Sequence, residues 1–311
     1  MTISRVMCRP TQPLKNVPSS GQKQNLRQKQ KVVLVVGATG TGKSRLSIDL
    51  ATCFPAEIIN SDKMQVYEGL DIVTNKIPKE EQRGVPHHLL GTQNRNSEFT
   101  AADFCDKASL AIESITNREK LPIIVGGSNS YIEALVEKFG PRYDWCCLWV
   151  DVSMPVLHSY LTRRVDVMRE CGMVNELRHF YSPNGDYTRG IRRAIGVPEF
   201  DSYFRREAVS DRETRQRLLR EAVCEVKRNT CELACKQLGR IHRLRSLKGW
   251  NIHRFCATPV FQNHAQDANH AWKNIVAHPS ATVVAQFLNN ANVASAAGHT
   301  LLPSTHTPHV S

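Results

Sequence analysis

Gly37-Ala38-Thr39-Gly40-Thr41-Gly42-Lys43-Ser44 follows directly on Val32-Val33-Leu34-Val35-Val36, and no other feature of the chain constrains its fold as strongly. Five apolar residues, four of them β-branched, read as a strand buried on both faces, as in a parallel sheet. The glycine-rich turn then has the G-x-x-x-x-G-K-[ST] pattern of a phosphate-binding loop (P-loop). Its backbone N–H groups converge, its lysine adds a cation, and the N-terminus of the helix predicted over Ser44–Cys53 favours negative charge. Gly37, Ala38, Thr39, Gly40, Thr41, Gly42, Lys43 and Ser44 are therefore read as ligands of a polyphosphate. A solvated Gly/Thr loop would leave the strand before it and the helix after it unexplained.

The rest of the chain repeats this alternation. Ala56–Asn60 reads as a second strand, ending at Ser61-Asp62. Thr100 has the place of an N-cap for a helix over Ala101–Thr116. Leu121–Val125 is a third strand, closed by Gly126-Gly127 with a helix opening at Ser130, and Cys146–Val150 is a fourth. Strands alternating with helices predict a parallel α/β sheet with right-handed crossovers. Val156–Tyr181 reads as one helix, residues 153–205 as a helical insertion, and 212–247 as the longest helix. The last seventeen residues, Ser295–Ser311, read as a frayed tail.

Charge argues against a nucleic-acid surface. The net charge is +12, but residues 1–31 hold seven Lys/Arg and no acid, so the other 280 residues carry only +5. That basic, Ser/Gln/Pro-containing segment has no apolar core of a secretory signal. Residues 1–30 are read as an organellar transit peptide, against the alternative of a disordered basic tail. No window approaches 18 unbroken apolar residues, so no membrane span is expected. The ten cysteines read as reduced thiols. Cys231-x3-Cys235 with His242 and His253 is not a convincing zinc pattern, because no C-x2-C pair supports it. His87 and His88 lack a metal-spaced partner and read as loop or core residues.

Ser61-Asp62-Lys63-Met64-Gln65-Val66-Tyr67, Gly84-Val85-Pro86-His87-His88-Leu89, Gly126-Gly127-Ser128-Asn129-Ser130-Tyr131 and Arg193-Ala194-Ile195-Gly196 occur in that order. Together with the phosphate loop they resemble the isopentenyltransferase family, over about residues 32–290. The resemblance implies a P-loop NTPase-like parallel sheet flanked by helices. It also implies transfer of a dimethylallyl group from dimethylallyl diphosphate to N6 of adenine. One branch of that family modifies adenine within tRNA; a plant branch modifies free AMP, ADP or ATP, the first step of cytokinin synthesis.

Three departures favour the free-nucleotide branch. Lys63 lengthens the usual S-x-M-Q-V-Y block, Thr230 is followed by Cys231 where tRNA enzymes have arginine, and no C-terminal zinc-finger pattern occurs. Asn229-Thr230 with Leu233-Ala234 and Gln237 also looks like the plant adenylate enzymes. The expected partners are thus two small molecules, with no nucleic acid and no membrane. The chain is read as a monomer of the plastid, with mitochondrion and cytoplasm as alternatives. A nucleoside monophosphate kinase is the competing enzyme class, since Arg163-Arg164, Arg205-Arg206 and Arg215/Arg217 mimic an arginine-rich lid.

The chemistry sets the roles. Charge grows on a departing diphosphate, so donors and cations aimed at it lower the barrier. Lys43 and Thr41 are expected there, with Ser44 on Mg2+. The exocyclic amine of adenine must lose a proton, and a carboxylate at a strand end facing the phosphate loop is the economical acceptor. The resemblance assigns this to Asp62; the alternative use of Asp62 is as an N-cap. Lys227, with Arg228, is expected to replace the charge missing at Cys231, since four residues make one helical turn. Arg192 and Arg193 are further candidate phosphate ligands. Thr230 is a candidate substrate contact, and Thr100 is one in second place to its cap.

Overall fold

The computed structural model describes residues 29–263 and 265–296. The transit segment predicted over 1–30 thus lies almost wholly outside the described residues, as does 297–311 of the predicted tail. Six parallel strands form one sheet: β1 (Gln30–Val36), β2 (Ala56–Asn60), β3 (His87–His88), β4 (Leu121–Val125), β5 (Tyr143–Asp151) and β6 (Ile252–Cys256), in the order β3-β2-β4-β1-β5-β6. In register, Val33 stands beside Ile123 on β4 and Cys146 on β5. The apolar run of β1 alternates between two cores. Val32, Leu34 and Val36 pack under α2 (Ala101–Thr116), α3 (Asn129–Phe139) and α7 (Arg212–Ser246). Val33 and Val35 pack under α1 (Lys43–Cys53) and α4 (Met154–Glu170), together with Trp272 of α9 (Ala265–Trp272) and Val284 of α10 (His278–Ala296). Burial on both faces is what a continuous β-branched run implies.

The loops after β1, β2 and β4 leave the carboxyl edge of the sheet together, where open α/β sheets bind ligands. Close approach holds two of them: a Cβ at Gly126 would collide with the Ser61 carbonyl, so only glycine lets these loops touch. The Ser128 N–H donates to the Ser61 carbonyl at 3.2 Å, and the Lys63 N–H to Ser128 Oγ at 2.9 Å.

Several expectations are corrected. The helix predicted over Val156–Tyr181 is two helices, α4 and α5 (Met173–Phe180), because Gly172 takes φ 104 between them. The extra helical matter does not stop near 205. It is one long crossover from β5 to β6 that includes α6 (Asp201–Glu207) and α7. β3, β6, α8 (Thr258–Gln262), α9 and α10 escaped the sequence reading, and α10 runs to Ala296, past the start of the predicted tail.

His88 proves structural. Its Nε2 lies 2.7 Å from Glu57 of β2, which also accepts from Arg118 at 2.6 Å and Lys120 at 2.9 Å. Burial pushes the Glu57 carboxyl up, but the bonds from His88, Lys120 and Arg118 outweigh it and hold it down at about 2. Every cysteine among the described residues is a free thiol, and no cluster of three or more His, Cys, Asp or Glu there could hold a metal ion.

Candidate active site

The carboxyl edge opens into a cleft of about 1230 Å3 bordered by the phosphate loop, Asp62, the loop after β4 and one face of α7. Gly42 enters α1 with φ 94, and its bare Cα is covered by the Trp272 ring, which a Cβ would meet at 2.8 Å. Thr41 is buried, and its hydroxyl donates to the Ala38 carbonyl at 3.0 Å. The Lys43 ammonium donates to the same carbonyl at 2.6 Å. Burial lowers the pKa of Lys43 to about 8; Asp62 works against this and the Arg164 guanidinium works with it. The exposed Ser44 borders the cleft.

Asp62 serves two ends at once. Its Oδ1 accepts from the N–H groups of Met64 at 2.9 Å and Gln65 at 3.3 Å, the cap-like use considered above. Its Oδ2 accepts no hydrogen bond among the described residues and lies 3.5 Å from where a Cβ on Gly127 would stand. Asp62 borders the cleft, so a carboxylate fixed through one oxygen offers the other to a proton.

Beyond Asp62 stand three cations, Lys63, Arg193 and Arg240, all bordering the cleft. Burial lowers the Lys63 pKa, followed by the nearness of Arg240 and Arg193. Arg240 is steered by Glu133, a buried carboxylate on α3 that also accepts from Arg243. On the phosphate-loop side, Arg164 of α4 donates from Nη2 to Thr39 Oγ1 at 3.1 Å, while its buried Nε has no partner.

The structure separates the remaining candidates. Val226, Thr230, Leu233, Lys236, Gln237 and Arg240 form the cleft face of α7. The Thr230 hydroxyl on that face is spent on the Val226 carbonyl at 2.7 Å. Lys227 and Arg228 are not on it. Lys227 does share a face with Cys231, as a spacing of four requires, but that face turns to α4, where Lys227 pairs with Asp166 at 2.8 Å. Arg228 is exposed and pairs with Glu225 at 2.9 Å. Arg192 lies over the Phe180 ring at 4.7 Å, away from the cleft that its neighbour Arg193 borders. Thr100 is a cap: it accepts from the Asp103 N–H at 3.2 Å while Asp103 accepts from the Thr100 N–H at 2.8 Å, and neither borders the cleft.

Lys63, Arg164, Gln237 and Arg240 border the cleft without being expected there from the sequence. The signal for the last two was present: 226, 230, 233, 237 and 240 follow helical spacing from a position the resemblance had marked.

A family model described as IPP transferase matches residues 65–142 and 137–243. Adenylate isopentenyltransferase 3, chloroplastic, of Arabidopsis thaliana is 54% identical over 304 residues, covering 93% of this chain and 90% of that protein. Adenylate isopentenyltransferase 5, chloroplastic, of the same plant is 58% identical over 269 residues, covering 85% and 82%. Among solved structures, a eukaryotic dimethylallyltransferase acting on tRNA superposes with a TM-score of 0.71 at 24% identity, over 84% of this chain and 80% of that one. That likeness bears on the fold.

Proposed function

The chain belongs to the adenylate isopentenyltransferases of the IPP transferase family, and from that premise we propose how its cleft performs the transfer of a dimethylallyl group from dimethylallyl diphosphate to N6 of AMP, ADP or ATP. One observation carries the reading: Lys43 of the phosphate loop and the uncommitted oxygen of Asp62 face a single cleft. The donor diphosphate lies on the loop amides and Lys43, which stabilise negative charge as the C1–O bond breaks, whereas the buried Thr41 hydroxyl, expected there from the sequence, is spent on the Ala38 carbonyl and does not border the cleft. The N6 lone pair forms the new bond to C1, and the N6 proton passes to Asp62 Oδ2. Lys63, Arg193 and Arg240 take the phosphates of the acceptor nucleotide, so the two anionic reactants lie on separate cationic poles with the adenine between them.

Ser44 is the residue that would hold Mg2+. A single exposed hydroxyl beside the phosphate loop, with substrate phosphate oxygens completing the shell, is the hard-oxygen donor set that ion takes. Bound there, Mg2+ would neutralise charge gathering on the diphosphate.

The relatives named above are chloroplastic, and the basic, acid-free start of this chain fits plastid targeting. Among the described residues no helix is long and apolar enough to cross a membrane.

The test is incubation with radiolabelled dimethylallyl diphosphate and, in separate reactions, AMP, ADP, ATP and unmodified tRNA. Label in N6-prenylated nucleotide is expected. Label confined to tRNA, or conversion of ATP plus AMP to ADP without the prenyl compound, would overturn the reading.

A further inference from the structure

The Gln237 side chain spans the cleft's two working loops. Its Oε1 accepts from the Thr39 N–H of the phosphate loop at 2.7 Å, and its Nε2 donates to the Gly127 carbonyl at 3.0 Å. Its own carbonyl accepts from the buried Asn129 side chain at 3.2 Å, which pins this turn of α7 to the start of α3. Gly127 lies between Gln237 and Asp62. A Cβ there would collide with Gln237 Nε2 on one side and stand 3.5 Å from Asp62 Oδ2 on the other. The Gly126–Ser128 loop is in turn bonded to Ser61 and Lys63, the residues flanking Asp62. One carboxamide therefore joins the loop that carries Lys43 to the loop that carries Asp62.

We infer that Gln237 is a positioning residue for prenyl transfer, setting the separation between the diphosphate seat and the proton acceptor. The inference rests on the reaction assigned above. Transfer needs C1 of the donor and N6 of the acceptor in near-attack contact, and displacement by about 1 Å costs on the order of a hundredfold in rate. Each loop can still bind its own reactant without the brace, because Lys43 and the three distal cations do not depend on it. What the brace supplies is their mutual register. Glutamine is suited to this because one planar group both accepts and donates; glutamate keeps the shape and the bond from Thr39 but cannot donate to Gly127.

The experiment compares wild type with Gln237→Glu and Gln237→Met. It measures kcat, both KM values, affinity for inorganic pyrophosphate and Tm. The expected result is a kcat loss of about tenfold to a hundredfold in both variants, with KM values and pyrophosphate affinity within about threefold of wild type in Gln237→Met, which adds no charge beside the phosphate loop. An unchanged kcat would overturn the inference. So would a pyrophosphate affinity falling in step with kcat, since Gln237 would then serve the phosphate loop alone, or a kcat loss that merely tracks Tm. If Gln237→Met does not fold, the kcat of Gln237→Glu decides, at the Tm that variant retains. Wild-type product formation tests the reaction itself, so failure there is distinct from failure here.

Discussion

The Trp272 indole N–H donates to the Asp49 carboxylate at 2.7 Å, tying the C-terminal helices to the helix that carries Lys43. The same ring lies over Gly42, takes the Arg45 guanidinium at 4.6 Å from its centroid, and is 2% exposed. Trp272→Phe keeps most of the packing and leaves one oxygen of the partly exposed Asp49 carboxylate short of a donor, a loss of about 1 kcal/mol. Trp272→Ala adds a cavity beside the phosphate loop and should cost about 3–5 kcal/mol. Denaturant melts of both variants check this, and the alanine variant should also show a raised KM for the prenyl donor.

Lys43 makes the alkaline limb of the activity profile. With a pKa of about 8, it loses its charge well below the range of an ordinary lysine. The expected kcat/KM for dimethylallyl diphosphate therefore falls above pH 8, and Lys43→Ala loses at least about a hundredfold in rate. Stability moves the other way. The folded form binds fewer protons than the unfolded chain between pH 8 and 10.5, so the burial penalty, about 3 kcal/mol in full below pH 8, is relieved as pH rises through that window. Other groups, such as the buried Cys146 and Cys147 thiols, titrate in the same window, so the check is the difference in unfolding free energy between wild type and Lys43→Met, which should move in favour of wild type as pH rises from 8 to 10.5.

Lys227 tests whether cationic charge on α7 matters by itself or only on the cleft face. Its ammonium is satisfied by Asp166, outside the cleft. Lys227→Ala should leave the donor KM unchanged and shift stability by no more than about 1 kcal/mol, as for other partly exposed ion pairs. Arg240→Ala, on the cleft face, should raise the KM for the acceptor nucleotide. Steady-state kinetics with each substrate varied in turn separates the two.

What the sequence made legible follows what is local in it. The β1 run and the phosphate loop announce themselves because strand, turn and helix signals are contiguous there. Asp62 is legible as a strand-end carboxylate. That it both caps and points into the cleft is not, because this depends on Gly126 admitting the Ser61 carbonyl and on Gly127 facing Gln237. β3 is two histidines, of which His88 meets the Glu57 carboxylate, and β6 carries His253 and Arg254 at the sheet edge, so neither shows the apolar run of a central strand. The Lys227 assignment found the right helix and the right periodicity and attached them to the wrong face. Spacing says which residues lie together, and only packing against α4 says where they look.

Asp62→Asn is the sharpest test of the chemistry. The amide oxygen can still accept from the Met64 and Gln65 N–H groups, so the turn after β2 is preserved and the unfolding free energy should stay within about 1 kcal/mol of wild type. The other end of the side chain becomes an amide, which cannot take a proton from N6. The expected kcat loss is about 10²–10⁴-fold with both KM values nearly unchanged. Near-normal turnover in this variant would leave Asp62 only its capping bonds and would move the base to another group in the cleft.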